Sequence, residues 1–170
     1  MAELSPRERL QPALLDRLTD DEPEKKVEPR ERRVLSLNRL RELVLRDLGW
    51  LLNTASLEQT EDLTDFPFVR ESVLNFGGRT LSGQMLSSLA LPDLERSLRQ
   101  AIWDFEPRIL RDTVKITCEV SQDEMSHNSL TFKIEGVLWA QPVPLHLFLK
   151  TEMDLETGDT RVSDETDSRA

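Results

Sequence analysis

The sequence predicts an α+β fold, with N-terminal helices packed on one face of a small antiparallel sheet and a further N-terminal helix on a tether. Three observations lead there. Up to Phe105, apolar residues recur at three- and four-residue steps, the spacing of amphipathic helices. After Glu106-Pro107-Arg108 the period drops to two, the alternation of half-buried strands. Prolines and glycines mark the joints, with Pro107 ending the helical half, Gly77-Gly78 closing a loop, and Pro142 and Pro144 framing a turn.

Along the chain, Pro6 to Leu18 carries Leu10, Leu14, Leu15 and Leu18 between charges. From Pro12 this segment has room for about two helical turns, too few to be stable alone in water. Residues 21–33 hold Pro23 and Pro29 among charges and read as an extended linker. A short leucine-bearing helix on such a tether has two outcomes, folding back on its own domain or docking in a partner's groove. The next helix is expected from Leu37 to Asn53. Ser36 is its N-cap, and Leu37, Leu40, Val44, Leu48, Leu51 and Leu52 form its apolar face. Glu42 and Arg46 stand four apart on its polar side, and Trp50 is expected in the core.

Thr54 to Asp65 is polar and acidic, a loop. Phe66 to Gly78 matches a short helix through Val69, Val73 and Phe76, closed by Asn75 or Gly77 in a left-handed conformation. Ser82 to Leu89 is read as another short helical piece. The clearest element is Leu91–Phe105, whose Leu91, Leu94, Leu98, Ile102 and Phe105 share one face. Pro92 suits its first turn, where the missing N–H would have had no partner, and Asp93 and Glu95 favour the same end of the helix dipole. Pro107 then forces a corner flanked by a carboxylate and a guanidinium. Beyond it, Val114 to Val120, Leu130 to Ala140 and Leu145 to Met153 alternate as three strands. Thr160 to Val162 is a short fourth strand at the edge, and 163–170 is an acidic tail expected to be disordered. The organisation is therefore a tethered helix in 1–20, a charged linker in 21–33, one domain in 34–162 and the tail. Its last strand leaves an edge that another chain can extend, guarded otherwise only by Lys150, Glu152, Asp154 and Arg161.

Composition limits the chemistry. The formal charge is −10. Acidic and basic residues balance through Asn53, at eleven each, and the whole deficit falls on the remainder, with twenty-one acidic against eleven basic. Such a surface does not suit nucleic acid. One cysteine excludes an internal disulfide, and Cys118, on an apolar strand face, reads as an inert core thiol. No apolar run approaches the roughly 20 residues that span a bilayer, and no signal-peptide h-region opens the chain. The expectation is a soluble cytoplasmic protein. His127 and His146 have no paired ligand motif, so neither a metal nor a cofactor is expected. Gly77-Gly78-Arg79-Thr80 lacks the Lys-Ser/Thr ending of a phosphate loop. Glycoside hydrolysis wants two carboxylates across the scissile bond, whereas Asp104 and Glu106, two apart, lie on different faces.

Several short motifs in order carry a resemblance. Ser72-Val73-Leu74-Asn75-Phe76-Gly77, Leu81-Ser82-Gly83, Phe105-Glu106-Pro107-Arg108, His127-Asn128-Ser129-Leu130 and Glu135-Gly136-Val137-Leu138-Trp139 resemble the TssE baseplate proteins of bacterial type VI secretion. Those proteins group with the lysozyme-related wedge proteins of contractile phage tails. The likeness runs from about Val34 to Asp159, and Leu14-Leu15-Asp16-Arg17-Leu18 resembles the family's N-terminal helix; Gly77-Gly78-Arg79-Thr80 departs from its pattern. The resemblance implies a structural role with no catalysis, in the cytoplasm near the inner membrane. It implies wedge partners TssF, TssG and TssK, and a sheet edge that accepts strands from the sheath proteins TssB and TssC. By the same resemblance Glu106, Pro107 and Arg108 serve sheath attachment, and Leu14, Leu15, Arg17 and Leu18 bind the other wedge proteins. Two rivals remain: a muramidase with Glu106 as its acid, and a stress-response adaptor of the same fold.

Overall fold

A computed structural model describes residues 13–19, 23–24, 36–83, 89–120, 129–140 and 144–165. Its helices are α1 (Leu14–Leu18), α2 (Leu37–Leu52), α3 (Pro67–Arg70) and α4 (Leu91–Phe105). The strands follow as β1 (Lys115–Val120), β2 (Ser129–Leu138), β3 (Leu145–Asp154) and β4 (Thr160–Asp164). The architecture is α+β, as the two periodicities predict. The sheet is an antiparallel meander in the order β1-β2-β3-β4, so each strand pairs only with its sequence neighbours.

The hydrophobic face of that sheet meets two helices, in keeping with the N-terminal helices expected on one face. α4 lies against β1 and α2 against β4. Leu130, Phe132, Ile134 and Leu138 of β2 point inward, and Val44, Leu48 and Leu51 of α2 meet Leu98 and Ile102 of α4 in the same core. Each fully buried side chain of this size contributes about 1.5–3 kcal/mol. Ser36 caps α2 as its sequence indicates, its Oγ accepting from the Arg39 N–H at 3.1 Å. α4 begins and ends at the residues the two prolines dictate.

Elsewhere the local details differ. Trp50 is not in the core: it is 48% exposed, and the Arg46 guanidinium sits 4.6 Å above its ring. Its position near the end of α2 leaves the indole in water, where a cation covers it. Glu42 pairs with Arg39 at 2.8 Å rather than with Arg46, because Arg46 turns to Asp16 and Asp47. The segment Phe66–Gly78 is not one helix. It breaks at Ser72 into α3 and a tight turn at Val73–Asn75, leaving Val73 82% exposed. Its buried side chain is that of Asn75, whose Oδ1 accepts from the Glu58 N–H at 3.0 Å while its Nδ2 donates to the Arg70 carbonyl at 2.9 Å. Gly77, not Asn75, takes the positive φ, at +140°. β4 continues two residues past Val162, held by the Arg41–Asp164 ion pair at 2.9 Å and by the Ser163 hydroxyl donating to the Lys150 carbonyl at 3.0 Å. Most of the linker, residues 84–88 of the helical piece expected at Ser82–Leu89, His127 and the end of the tail lie outside the described residues.

Candidate functional site

The corner after α4 is built by backbone geometry first. Pro107 stops the helix, and the chain turns directly onto the far end of β2. There the Trp139 N–H donates to the Arg108 carbonyl at 2.7 Å, and the Leu110 N–H donates to the Val137 carbonyl at 2.9 Å. Ile109, buried between them, approaches so near that a Cβ on Gly136 would stand 2.9 Å from its Cγ2. Only glycine fits there.

This anchoring aims the charged side chains inward, toward α2. Glu106 is 3% exposed. Its Oε1 accepts from Arg108 Nε at 2.6 Å, and its Oε2 from Arg108 Nη2 at 2.5 Å. The Arg108 N–H also donates to Glu106 Oε1, at 3.2 Å. Arg108 Nη2 reaches across to Asp47 Oδ2 at 2.5 Å. Burial alone would lower the Arg108 pKa, but the hydrogen bonds and charges of Glu106, then Asp47, outweigh it and hold the guanidinium above its ordinary value. The corner is therefore an ion cluster in which one guanidinium serves two carboxylates. Pro107 lies exposed beside it.

The cluster continues to the N-terminal helix. Asp47 Oδ1 also accepts from Arg46, at 2.7 Å, and Arg46 Nη1 bonds Asp16 of α1 at 2.6 Å. A chain of alternating charges thus runs Asp16, Arg46, Asp47, Arg108, Glu106. It joins two regions that the sequence resemblance assigns to different partners. Of the two outcomes open to α1, the structure places it back on its own domain, yet it does so through Asp16. Leu14, Leu15, Arg17 and Leu18 all stay exposed, the leucines at 70%, 50% and 73%. Beside them lies an apolar groove of about 470 Å3 lined by Leu15, Trp50, Leu51, Phe76, Phe105 and Pro107. Phe76 and Phe105 meet edge to face there, with ring centroids 5.4 Å apart.

Sequence reasoning singled out Glu106 and Arg108 but not Asp47 as their partner. A signal exists: Leu40, Val44, Asp47 and Leu51 step by four, three and four, so an acid occupies the apolar stripe of α2. A carboxylate in that position calls for a cation from elsewhere in the fold.

The two margins of the sheet are treated differently. On β1, the outward Cys118 N–H donates to Glu95 Oε1 of α4 at 2.8 Å. On β4, the bonds Asp154 N–H to Asp159 carbonyl, 2.9 Å, and Glu165 N–H to Phe148 carbonyl, 2.8 Å, fix which residues face β3. Antiparallel ladders alternate, so 159, 161, 163 and 165 point their peptide groups at β3, and 160, 162 and 164 point theirs away. At Thr160 those outward groups are taken by the end of α2: its N–H donates to Asn53 Oδ1 at 2.8 Å, and Asn53 Nδ2 donates to its carbonyl at 2.8 Å. Beyond Thr160 the margin is flanked by no other strand among the described residues.

No group of His, Cys, Asp and Glu among the described residues is placed to hold a metal ion, and no described helix is long and apolar enough to cross a membrane.

The chain matches the family model of baseplate wedge protein gp25 over residues 38–143. A crystal structure from Geobacter sulfurreducens, provisionally named a tail lysozyme, aligns with a TM-score of 0.40 and 21% identity, covering 69% of this chain and 94% of that one. No curated protein matches.

Proposed function

The chain belongs to the gp25 family of baseplate wedge proteins, and from that premise we propose that it is a TssE-type structural subunit of a type VI secretion baseplate. In this role it ties the wedge proteins TssF, TssG and TssK to the first ring of the TssB–TssC sheath, on the cytoplasmic side near the inner membrane. The family match carries the proposal, and two structural features support its details. The β4 margin offers an incoming sheath strand the outward peptide groups of Val162. The Glu106-Pro107-Arg108 corner stands on β2 as a fixed block, with Pro107 exposed and Arg108 Nη1 making no hydrogen bond among the described residues. A guanidinium preorganised in that way suits a charged hydrogen bond across an interface. The exposed Leu14, Leu15, Arg17 and Leu18 are the surface offered to the wedge partners.

A muramidase role for Glu106 is disfavoured by the same geometry. Both Glu106 carboxylate oxygens accept hydrogen bonds from Arg108, and Glu106 itself is 3% exposed, so it does not stand as a free acid facing a substrate.

The test uses cells that lack their own copy and carry a fluorescent sheath. Arg108→Ala is expected to reduce sheath assembly several-fold. Asp47→Asn, which loosens the same cluster but keeps Arg108, is expected to assemble sheath at close to the normal frequency. Normal assembly with Arg108→Ala would remove the corner from the attachment surface.

A further inference from the structure

We propose that Asn53 is a register stop on the β4 margin: its side-chain amide fills the hydrogen-bonding place of a neighbouring strand at Thr160, so a strand added from another subunit ends its pairing at Val162. The proposal rests on the strand-addition role given above and specifies where that strand stops.

A carboxamide carries the same donor and acceptor as a peptide group. Asn53 uses both on one residue, accepting from the Thr160 N–H and donating to the Thr160 carbonyl, each at 2.8 Å. That is the pair of bonds a flanking strand would make. The amide is itself held in place. Asn53 follows the last turn of α2, its Nδ2 also donates to the Gly49 carbonyl at 2.7 Å, and its backbone N–H bonds the same carbonyl at 3.2 Å. A strand that advanced to Thr160 would have to break both hydrogen bonds between the Asn53 side chain and Thr160. At Val162, the next outward residue, no such substitute stands among the described residues. The contrast matters because a sheet edge fixes no register by itself. Side chains alternate with period two, and hydrogen bonds recur at every second residue, so a strand could otherwise slide by a whole repeat. A block at one end removes the longer pairing and leaves one preferred alignment.

On β1 the corresponding guard is weaker in kind. Glu95 accepts from the Cys118 N–H but, as a carboxylate, donates nothing to the carbonyls of that margin. Asn53 alone, among the described residues, satisfies both groups of an outward-facing edge residue.

Residue-resolved hydrogen exchange tests the stop, on the free protein and on the protein co-assembled with purified sheath subunits. In the free wild type the Thr160 amide exchanges slowly and the Val162 amide fast. On assembly, Val162 gains about tenfold or more protection and Thr160 stays as it was. In Asn53→Ala, Thr160 exchanges fast in the free protein and becomes protected on assembly, because the added strand now runs on to it. Asn53→Asp keeps the acceptor for the Thr160 N–H and loses the donor to its carbonyl; it carries the test if the alanine variant does not fold. For this variant the stop predicts that a cysteine at the end of the sheath strand crosslinks one repeat further along β4 than in wild type. If Val162 is protected in the variant assembly while Thr160 stays fast, or the crosslink does not move, Asn53 is only a structural tie and the stop is wrong. If Val162 gains no protection in the wild-type assembly, strand addition at this margin fails, and the stop falls with it.

Discussion

Cys118 shows how one side chain reports its surroundings. Burial, then the negative charges of Glu95 and Glu119, push its thiol up from 9.0 to about 11. The thiolate is the reactive form, so at neutral pH an alkylating reagent is expected to label the folded protein far more slowly than the same chain in denaturant. The linkage has a definite sign. A pKa raised on folding adds stability below the unfolded value, near 9, and that contribution is lost as pH rises through about 11. Melting curves across this alkaline window are expected to fall, and a Cys118→Ala variant to lose that part of the dependence. Gly77 carries a different constraint. With φ at +140°, a Cβ there would lie 2.5 Å from the Thr54 carbonyl oxygen and 2.8 Å from the Ala55 carbonyl carbon. Both neighbours are backbone, and they take part in the short bridge that ties Ala55 to Gly78. Gly77→Ala is expected to cost about 3 kcal/mol, measured by denaturant unfolding. The glycine was legible as a turn residue from its doublet with Gly78; the crowding that makes it obligatory was not, since those neighbours belong to another loop.

Among the elements, α4 was the most readable, because Pro92 and Pro107 bracket a single unbroken stripe. The strands were readable for the same reason at the other period: Ile116, Phe132, Ile134, Leu147 and Leu149 all point into the core as their alternation requires. What escaped lies where a polar group is satisfied from afar. Trp50 and Arg46 belong to one helix face, but their pairing depends on Arg46 being drawn aside by Asp16, thirty residues earlier. The attachment of α1 is weak by construction. Its one described ion pair joins an arginine side chain 33% exposed to an aspartate side chain 9% exposed, and Leu14 and Leu18 contribute little burial. Partly exposed pairs of this kind contribute about 1 kcal/mol and are screened by salt. Arg46→Ala, or high salt on the wild type, is therefore expected to release α1. Faster tryptic cleavage after Arg17 with an unchanged melting temperature for the domain is the measurement. An α1 that stays protected in the variant would show that its leucines, not Asp16, hold it.

For the molecule as a whole, the two helices laid over the sheet do more than cover its core. Each sends one side chain past its own face to a sheet margin, Glu95 to β1 and Asn53 to β4. The antiparallel meander and its helical cover were visible in the change of period at Pro107, whereas the treatment of the margins was not. No local pattern marks an asparagine whose partner lies 107 positions later. The corner, by contrast, announced itself in three consecutive residues, although its third charge, Asp47, had to come from α2. Glu106→Gln keeps the shape of that corner and removes one charge. It is expected to destabilise the protein by about 2 kcal/mol, less than for a fully buried pair because Arg108 retains Asp47 and some water. Thermal melts of the variant beside the wild type decide it.

The tie between Asn53 and Thr160 also has a consequence for synthesis. The helix leaves the ribosome more than a hundred residues before the strand that completes it. Until that strand arrives, the end of α2 lacks its partner and the sheet lacks its outermost ribbon, so a nascent or prematurely ended chain exposes β3 instead. Only a polypeptide translated through β4 hides that surface and presents the finished edge.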